Sequence, residues 1–158
     1  SYLISFILFC LAGITDFFDG WLARKKNEIS DLGRMLDPIA DKILVISTLV
    51  VLISNDVIEG YNLIAALTII YREIFISGLR EFLGNKSLVA NVTKAAKWKT
   101  AIQFITISSF LASKVIDDYF LYTGMVCSIL IWVTSIISLY TGINYLNGAS
   151  NYFKIKRK

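Results

Sequence analysis

Apolar residues gather in long unbroken runs at roughly 1–23, 35–54, 61–79, 100–116 and 120–146, separated by short polar or charged stretches. Runs of about 20 residues, rising 1.5 Å per residue, can cross a hydrocarbon core ~30 Å thick as helices. A transmembrane barrel would instead show short segments of alternating polarity. The pattern therefore predicts an all-α, polytopic transmembrane helix bundle with five spans. Composition agrees, because 56% hydrophobic residues and a mean hydropathy of +0.63 exceed what an ordinary soluble domain carries. The chain shows no internal repeat and no low-complexity tract, so residues 1–158 read as a single membrane domain.

The loops assign an orientation, since short cytoplasmic loops are rich in Lys and Arg. Residues 24–34 hold Arg24, Lys25, Lys26 and Arg34; residues 80–99 hold Arg80, Lys86, Lys94, Lys97 and Lys99; the tail holds Lys154, Lys156, Arg157 and Lys158. The intervening "SNDVIEG" has no base, and the stretch around Asp117 and Asp118 has only Lys114. The basic loops and the C-terminus are thus expected in the cytoplasm. The chain opens on Ser1 and runs directly into apolar residues, which reads as a truncated start rather than as a signal peptide, because no basic n-region precedes the run and Asp16 interrupts it. The net charge of +4 is accounted for by this loop bias and by a tail drawn to anionic head groups, with no nucleic-acid partner implied. Cys10 and Cys127 lie inside apolar runs without C-x-x-C spacing and read as small buried hydrophobes. With no His in the chain, His-based acid–base chemistry and His metal ligation are excluded.

Acids within spans are costly and usually face a bundle interior or a water-filled cavity. Measured from Arg24, Asp19 lies about 7 Å and Asp16 about 12 Å inside the first span; measured from Asp31, a candidate N-cap, Asp37 lies about 9 Å and Asp41 about 15 Å inside the second. Asp16 and Asp19 are at i and i+3, and Gly33, Asp37 and Asp41 follow at i+4, so each helix presents its acids along one face. A single Asp near a span's end is usually an interface residue, but four at a common depth and regular spacing ask for a shared cause. Crowded carboxylates cannot all stay ionised unpaired, and a divalent cation, or two, resolves that conflict. Ligation by oxygen alone favours Mg²⁺ or Mn²⁺, ions that commonly bridge phosphates. Gly20 and Ala23 leave room for close approach of a substrate, Arg24 offers a phosphate fork, and Pro38 removes one backbone N–H beside Asp37.

In order, these residues spell D-x2-D-G-x2-A-R-x8-G-x3-D-x3-D: Asp16, Asp19, Gly20, Ala23, Arg24, Gly33, Asp37 and Asp41. The chain thereby resembles the CDP-alcohol phosphatidyltransferase family, with eight fixed positions matched over 26 residues. The resemblance implies a six-helix membrane bundle whose first helix is missing here, a CDP-diacylglycerol donor, and displacement of CMP by an acceptor hydroxyl. It further implies that Asp16, Asp19 and Asp37 hold two divalent ions, with Asp41 completing the set or acting as general base. Gly20, Ala23 and Gly33 would line the cytidine site, with Arg24 near the nucleotide phosphates. Members of the family often dimerise, so a homodimer is the implied assembly.

"REIFISGLREF" (72–82) followed by "AAKWKTAIQ" (95–103) is similar to a bacterial inner-membrane branch of the family whose acceptor is sn-glycerol 3-phosphate and whose product is phosphatidylglycerophosphate. The residues themselves suit an anionic acceptor. Arg72 lies about 12 Å before Arg80 and shares a face with it through Ile76, and Lys97 and Lys99 open the next span. A buried Arg at that depth needs an acid or a phosphate. Glu73 adjoins Arg72 but projects about 100° away, so it is expected to pair with another helix, with Lys42 the candidate. Arg72, Arg80, Lys97 and Lys99 are therefore candidate ligands of the acceptor phosphate, set against ion pairing for the arginines and simple positive-inside anchoring for Lys94, Lys97 and Lys99. Two alternatives stay open: the same chemistry on inositol phosphate, serine or phosphatidylglycerol, and an ion- or proton-coupled transporter.

Overall fold

A computed structural model describes residues 2–26, 31–84, 94–116 and 122–155, with backbone alone at 14, 16–26, 31–38, 83–84, 94–97, 116 and 151–155. The described residues form five α-helices and no strand: α1 (Tyr2–Lys26), α2 (Asp31–Ser54), α3 (Tyr61–Gly84), α4 (Lys94–Ile116) and α5 (Thr123–Ile155). Lys86, Asp117, Asp118, Lys156, Arg157 and Lys158 lie outside the described residues. Each apolar run became one helix, and α2 continues unbroken through Pro38. All five helices outrun their apolar segments at one end, α1 to Lys26 and α2 from Asp31 by the least. α3 continues to Gly84, α4 begins at Lys94, and α5 continues to Ile155. Hydropathy marks where lipid ends, whereas a helix ends where its hydrogen-bond ladder is interrupted, and no proline interrupts these extensions. Among the described residues, Tyr61–Phe82 and Thr123–Ser150 are each long and apolar enough to cross a membrane, and Tyr2–Gly13 is a shorter apolar helix.

The chain divides into two compact units. The first comprises α1, α2, the end of α4 from Ile107 and the start of α5 to Cys127. Phe9, Leu49, Leu52, Ile58, Ile107, Phe110, Leu111 and Cys127 are buried there. Its α2 ends in a left-handed cap: Asp56 has φ 53°, its N–H donates to Ile53 O at 3.1 Å, and the Val57 N–H donates to Leu52 O at 2.9 Å. Asp tolerates this conformation better than most residues, and the two bonds satisfy carbonyls that the helix end would otherwise orphan.

The second unit comprises α3, the start of α4 to Thr106 and α5 from Ser128. Small and polar side chains fill much of its interior: Ala65, Ala66, Glu73, Lys99, Gln103, Thr106, Thr134, Ser135, Ser138 and Thr141 are buried. Large apolar ones such as Ile74, Phe75, Ile136 and Ile143 are exposed. Ile69, Ile70, Ile76 and Ile131 are buried among the small and polar side chains, and the mixture, with large apolar residues also on the outside, suits a lipid environment, where small residues allow close helix approach and polar ones bond across helices. Asn62 donates to Ser128 at 2.8 Å, Arg72 to Ser138 at 3.0 Å, and Arg80 stacks over Tyr145 at 5.6 Å. Contacts that advance together along both helices make α3 and α5 parallel. α4 runs against them, since its Lys99 meets Glu73 while Thr106, farther along, meets Thr134, which precedes Ser138 on α5.

Candidate active site

The eight signature positions lie on two continuous helices, Asp16, Asp19, Gly20, Ala23 and Arg24 on α1 and Gly33, Asp37 and Asp41 on α2. Helical backbone through both stretches preserves the spacing argument: one turn separates Asp16 from Asp19, and one turn separates Asp37 from Asp41. Of the eight, only Asp41 has a described side chain, and it is exposed. Those of Asp16, Asp19, Ala23, Arg24 and Asp37, and the surroundings of Gly20 and Gly33, lie outside the description. Four carboxylates, brought together, would offer a hard divalent cation oxygen donors throughout.

The second group of candidates is described in more detail. Arg72 is half-buried on α3, and three of its N–H groups are engaged: Nε donates to Ser138 O at 3.0 Å, Nη2 to Thr141 Oγ1 at 2.9 Å, and Nη1 to Glu73 Oε1 at 3.1 Å. The side chain reaches α5 where Gly142 leaves space. A Cβ at that position would lie 3.3 Å from Arg72 Cγ and 3.4 Å from Nε. Thr141 is itself anchored, its hydroxyl donating back to Ile137 O and Ser138 O, both at 3.0 Å.

Glu73 corrects the sequence-based pairing. Its cross-helix partner is Lys99 of α4 rather than the expected Lys42, and it also contacts its neighbour Arg72. The 100° separation of their Cα–Cβ directions does not keep the two side chains apart, because a guanidinium on three methylenes can turn back along the helix surface. Arg72 and Lys99, both candidate ligands of the acceptor phosphate, are thus joined through one carboxylate. Arg80 is exposed two turns farther along α3, with its guanidinium 5.6 Å from the ring centroid of Tyr145. Lys97 lies in α4 with its side chain outside the description.

Sequence reasoning passed over Ser138, Thr141 and Gly142, although the signal was present. Thr134, Ser138 and Thr141 recur at i, i+4 and i+7 inside the most apolar run, tracing a polar stripe down one face of α5. Lys99, Gln103 and Thr106 trace another on α4. Beside this polar seam, an apolar cavity of about 560 Å³ opens between α3 and α5, lined by Tyr71, Phe75, Leu139, Ile143 and Leu146 together with Arg72.

A family model for CDP-alcohol phosphatidyltransferases matches residues 1–140. A protein of Rickettsia felis, named CDP-diacylglycerol--glycerol-3-phosphate 3-phosphatidyltransferase, is 38% identical over 148 residues, covering 93% of this chain and 79% of its own length. One of the same name from Haemophilus influenzae is 36% identical over 152 residues, covering 94% of this chain and 78% of its own. Another from Cereibacter sphaeroides reaches 48% over 101 residues, or 64% of this chain and 46% of its own. With the signature intact on two helices and the likeness running through nearly the whole chain, the protein belongs to the CDP-alcohol phosphatidyltransferase family.

Proposed function

We propose that the chain transfers the phosphatidyl group of CDP-diacylglycerol to sn-glycerol 3-phosphate, giving phosphatidylglycerophosphate and CMP. The observation that carries this reading is the meeting of Arg72 and Lys99 on the buried Glu73 carboxylate, which brings together two bases suited to a phosphorylated acceptor, in a chain with relatives named for that reaction. It favours a phosphorylated alcohol over serine.

Asp16, Asp19 and Asp37 would hold two divalent ions, Mg²⁺ or Mn²⁺, with Asp41 completing the set or taking the acceptor's proton. Bound there, the ions would draw charge from the diphosphate and ease departure of CMP. Gly20, Ala23 and Gly33 would admit the cytidine and Arg24 would grip its phosphates. Arg72, Arg80, Lys97 and Lys99 would hold the acceptor's phosphate. The acceptor hydroxyl oxygen forms a bond to the β-phosphorus as the bond to the CMP oxygen breaks, and its proton passes to Asp41. Asp41 acts through placement beside that hydroxyl. The whole chain works as one domain in a bacterial inner membrane, with the basic loops and the active site on the cytoplasmic side, and a homodimer is the expected assembly.

CMP release by detergent-purified protein, assayed with Mg²⁺ or Mn²⁺ and CDP-diacylglycerol, tests the reading. It should require glycerol 3-phosphate and fall at least about a hundredfold in Asp37→Asn. Release independent of the acceptor, or unaffected by Asp37→Asn, would overturn it.

A further inference from the structure

Glu73 and Lys99 are among the most enclosed charged side chains described, at 7% and 6% exposure. One oxygen, Glu73 Oε1, accepts from Arg72 Nη1 at 3.1 Å and also meets Lys99 Nζ. Arg72 is further restrained by Ser138 O and Thr141 Oγ1, so α5 and Glu73 between them fix the plane of its guanidinium. Those bonds use three of five N–H donors.

A buried carboxylate shared by two bases is a poor device for stability alone. Apolar side chains of similar volume usually serve as well, because the desolvation penalty of the charges rivals their attraction. The two bases that Glu73 joins are the cations that the acceptor's phosphate is expected to meet. An arrangement of this kind is suited to receiving an anion. Without the acid, the two cations would repel each other in a weakly screening environment and take up separate positions.

We propose that Glu73 is a positioning residue for the acceptor's phosphate: it holds the Arg72 guanidinium and the Lys99 ammonium at a fixed separation before substrate arrives, so that one phosphate meets both. The inference deepens the function proposed above and rests on its phosphorylated acceptor. Glu73 transfers no proton and touches no reacting atom. It acts through the geometry of its two partners.

The test is steady-state kinetics of the full chain in detergent, varying each substrate at saturating concentrations of the other. Glu73→Gln keeps the volume and a hydrogen-bonding oxygen but removes the charge. KM for glycerol 3-phosphate should rise about tenfold or more, with KM for CDP-diacylglycerol within about twofold of wild type. Glu73→Asp, which restores the charge on a shorter arm, should recover part of the loss. A folded Glu73→Gln protein with a wild-type acceptor KM, or with equal rises for both substrates, would overturn the inference. Should Glu73→Gln fail to fold, Glu73→Asp decides instead: an acceptor-only rise supports the inference, and a wild-type acceptor KM refutes it. Failure of the wild-type chain to use glycerol 3-phosphate would be a different result, removing the functional reading and this inference with it.

Discussion

Gly142 and Gly148 lie less than two turns apart on α5, yet one methyl group should affect them in opposite ways. At Gly142 a Cβ would press on Arg72 at 3.3 Å, and Arg72 cannot easily yield because three hydrogen bonds hold it. At Gly148 nothing lies within 4 Å. Gly142→Ala is therefore expected to shift the guanidinium and raise the acceptor KM by up to about tenfold, since small misplacements of a binding group are strongly felt. Gly148→Ala should leave kinetics unchanged and raise the thermal midpoint in detergent, consistent with about 0.5–1 kcal/mol from the lost flexibility of a helical glycine. Equal kinetics in the two variants would dismiss the close approach of Arg72 to α5. The sequence made Arg72 visible as a base where lipid is expected and Lys99 as a base opening the next span, but not that Glu73 joins them. Angular separation on a helix locates Cβ atoms, whereas the long arms of Arg and Lys decide which charged ends meet.

At the level of helices, the number of elements was legible because apolar runs about 20 residues long have few other outcomes in a membrane. Their neighbours were not, since lipid-facing and helix-facing positions are both apolar and period alone does not separate them. The polar exceptions carry that information. Thr106 of α4 and Thr134 of α5 share a hydrogen bond of 2.6 Å between buried hydroxyls, and the Thr106 hydroxyl also reaches Ile102 O at 2.8 Å within its own helix. Because a helix carbonyl is an alternative partner for Thr106, the bond to Thr134 should be worth little more than the average interhelical bond in a membrane. A cycle of Thr106→Val, Thr134→Val and the double variant, read as unfolding free energy in mixed micelles, should give a coupling of about 0.6 kcal/mol. A coupling indistinguishable from zero would mean that packing alone joins α4 to α5 at this level.

For the molecule as a whole, the proposed orientation rests on the alternation of basic and base-free loops, and the contacts within the second unit fix only the relative directions of its helices. α3 and α5 run parallel with α4 opposed, the arrangement that three successive crossings would give. The base-free end of α3 follows Glu59, and its basic end carries Arg80 and Glu81. Both Glu59 and Glu81 are exposed, so a cysteine at either should be reachable by reagent without disturbing a packed interior. In a background with Cys10 and Cys127 replaced by Ala, Glu59→Cys in intact cells should react with a membrane-impermeant maleimide. Glu81→Cys should react only after the inner membrane is permeabilised. The charge rule predicts this sign because about 2.3 kcal/mol per elementary charge per 100 mV opposes carrying the basic loops outward against the membrane potential. The reverse pattern would place the proposed phosphate-binding bases on the wrong side for a soluble cytoplasmic acceptor, and so would count against the proposed reaction as well as the topology.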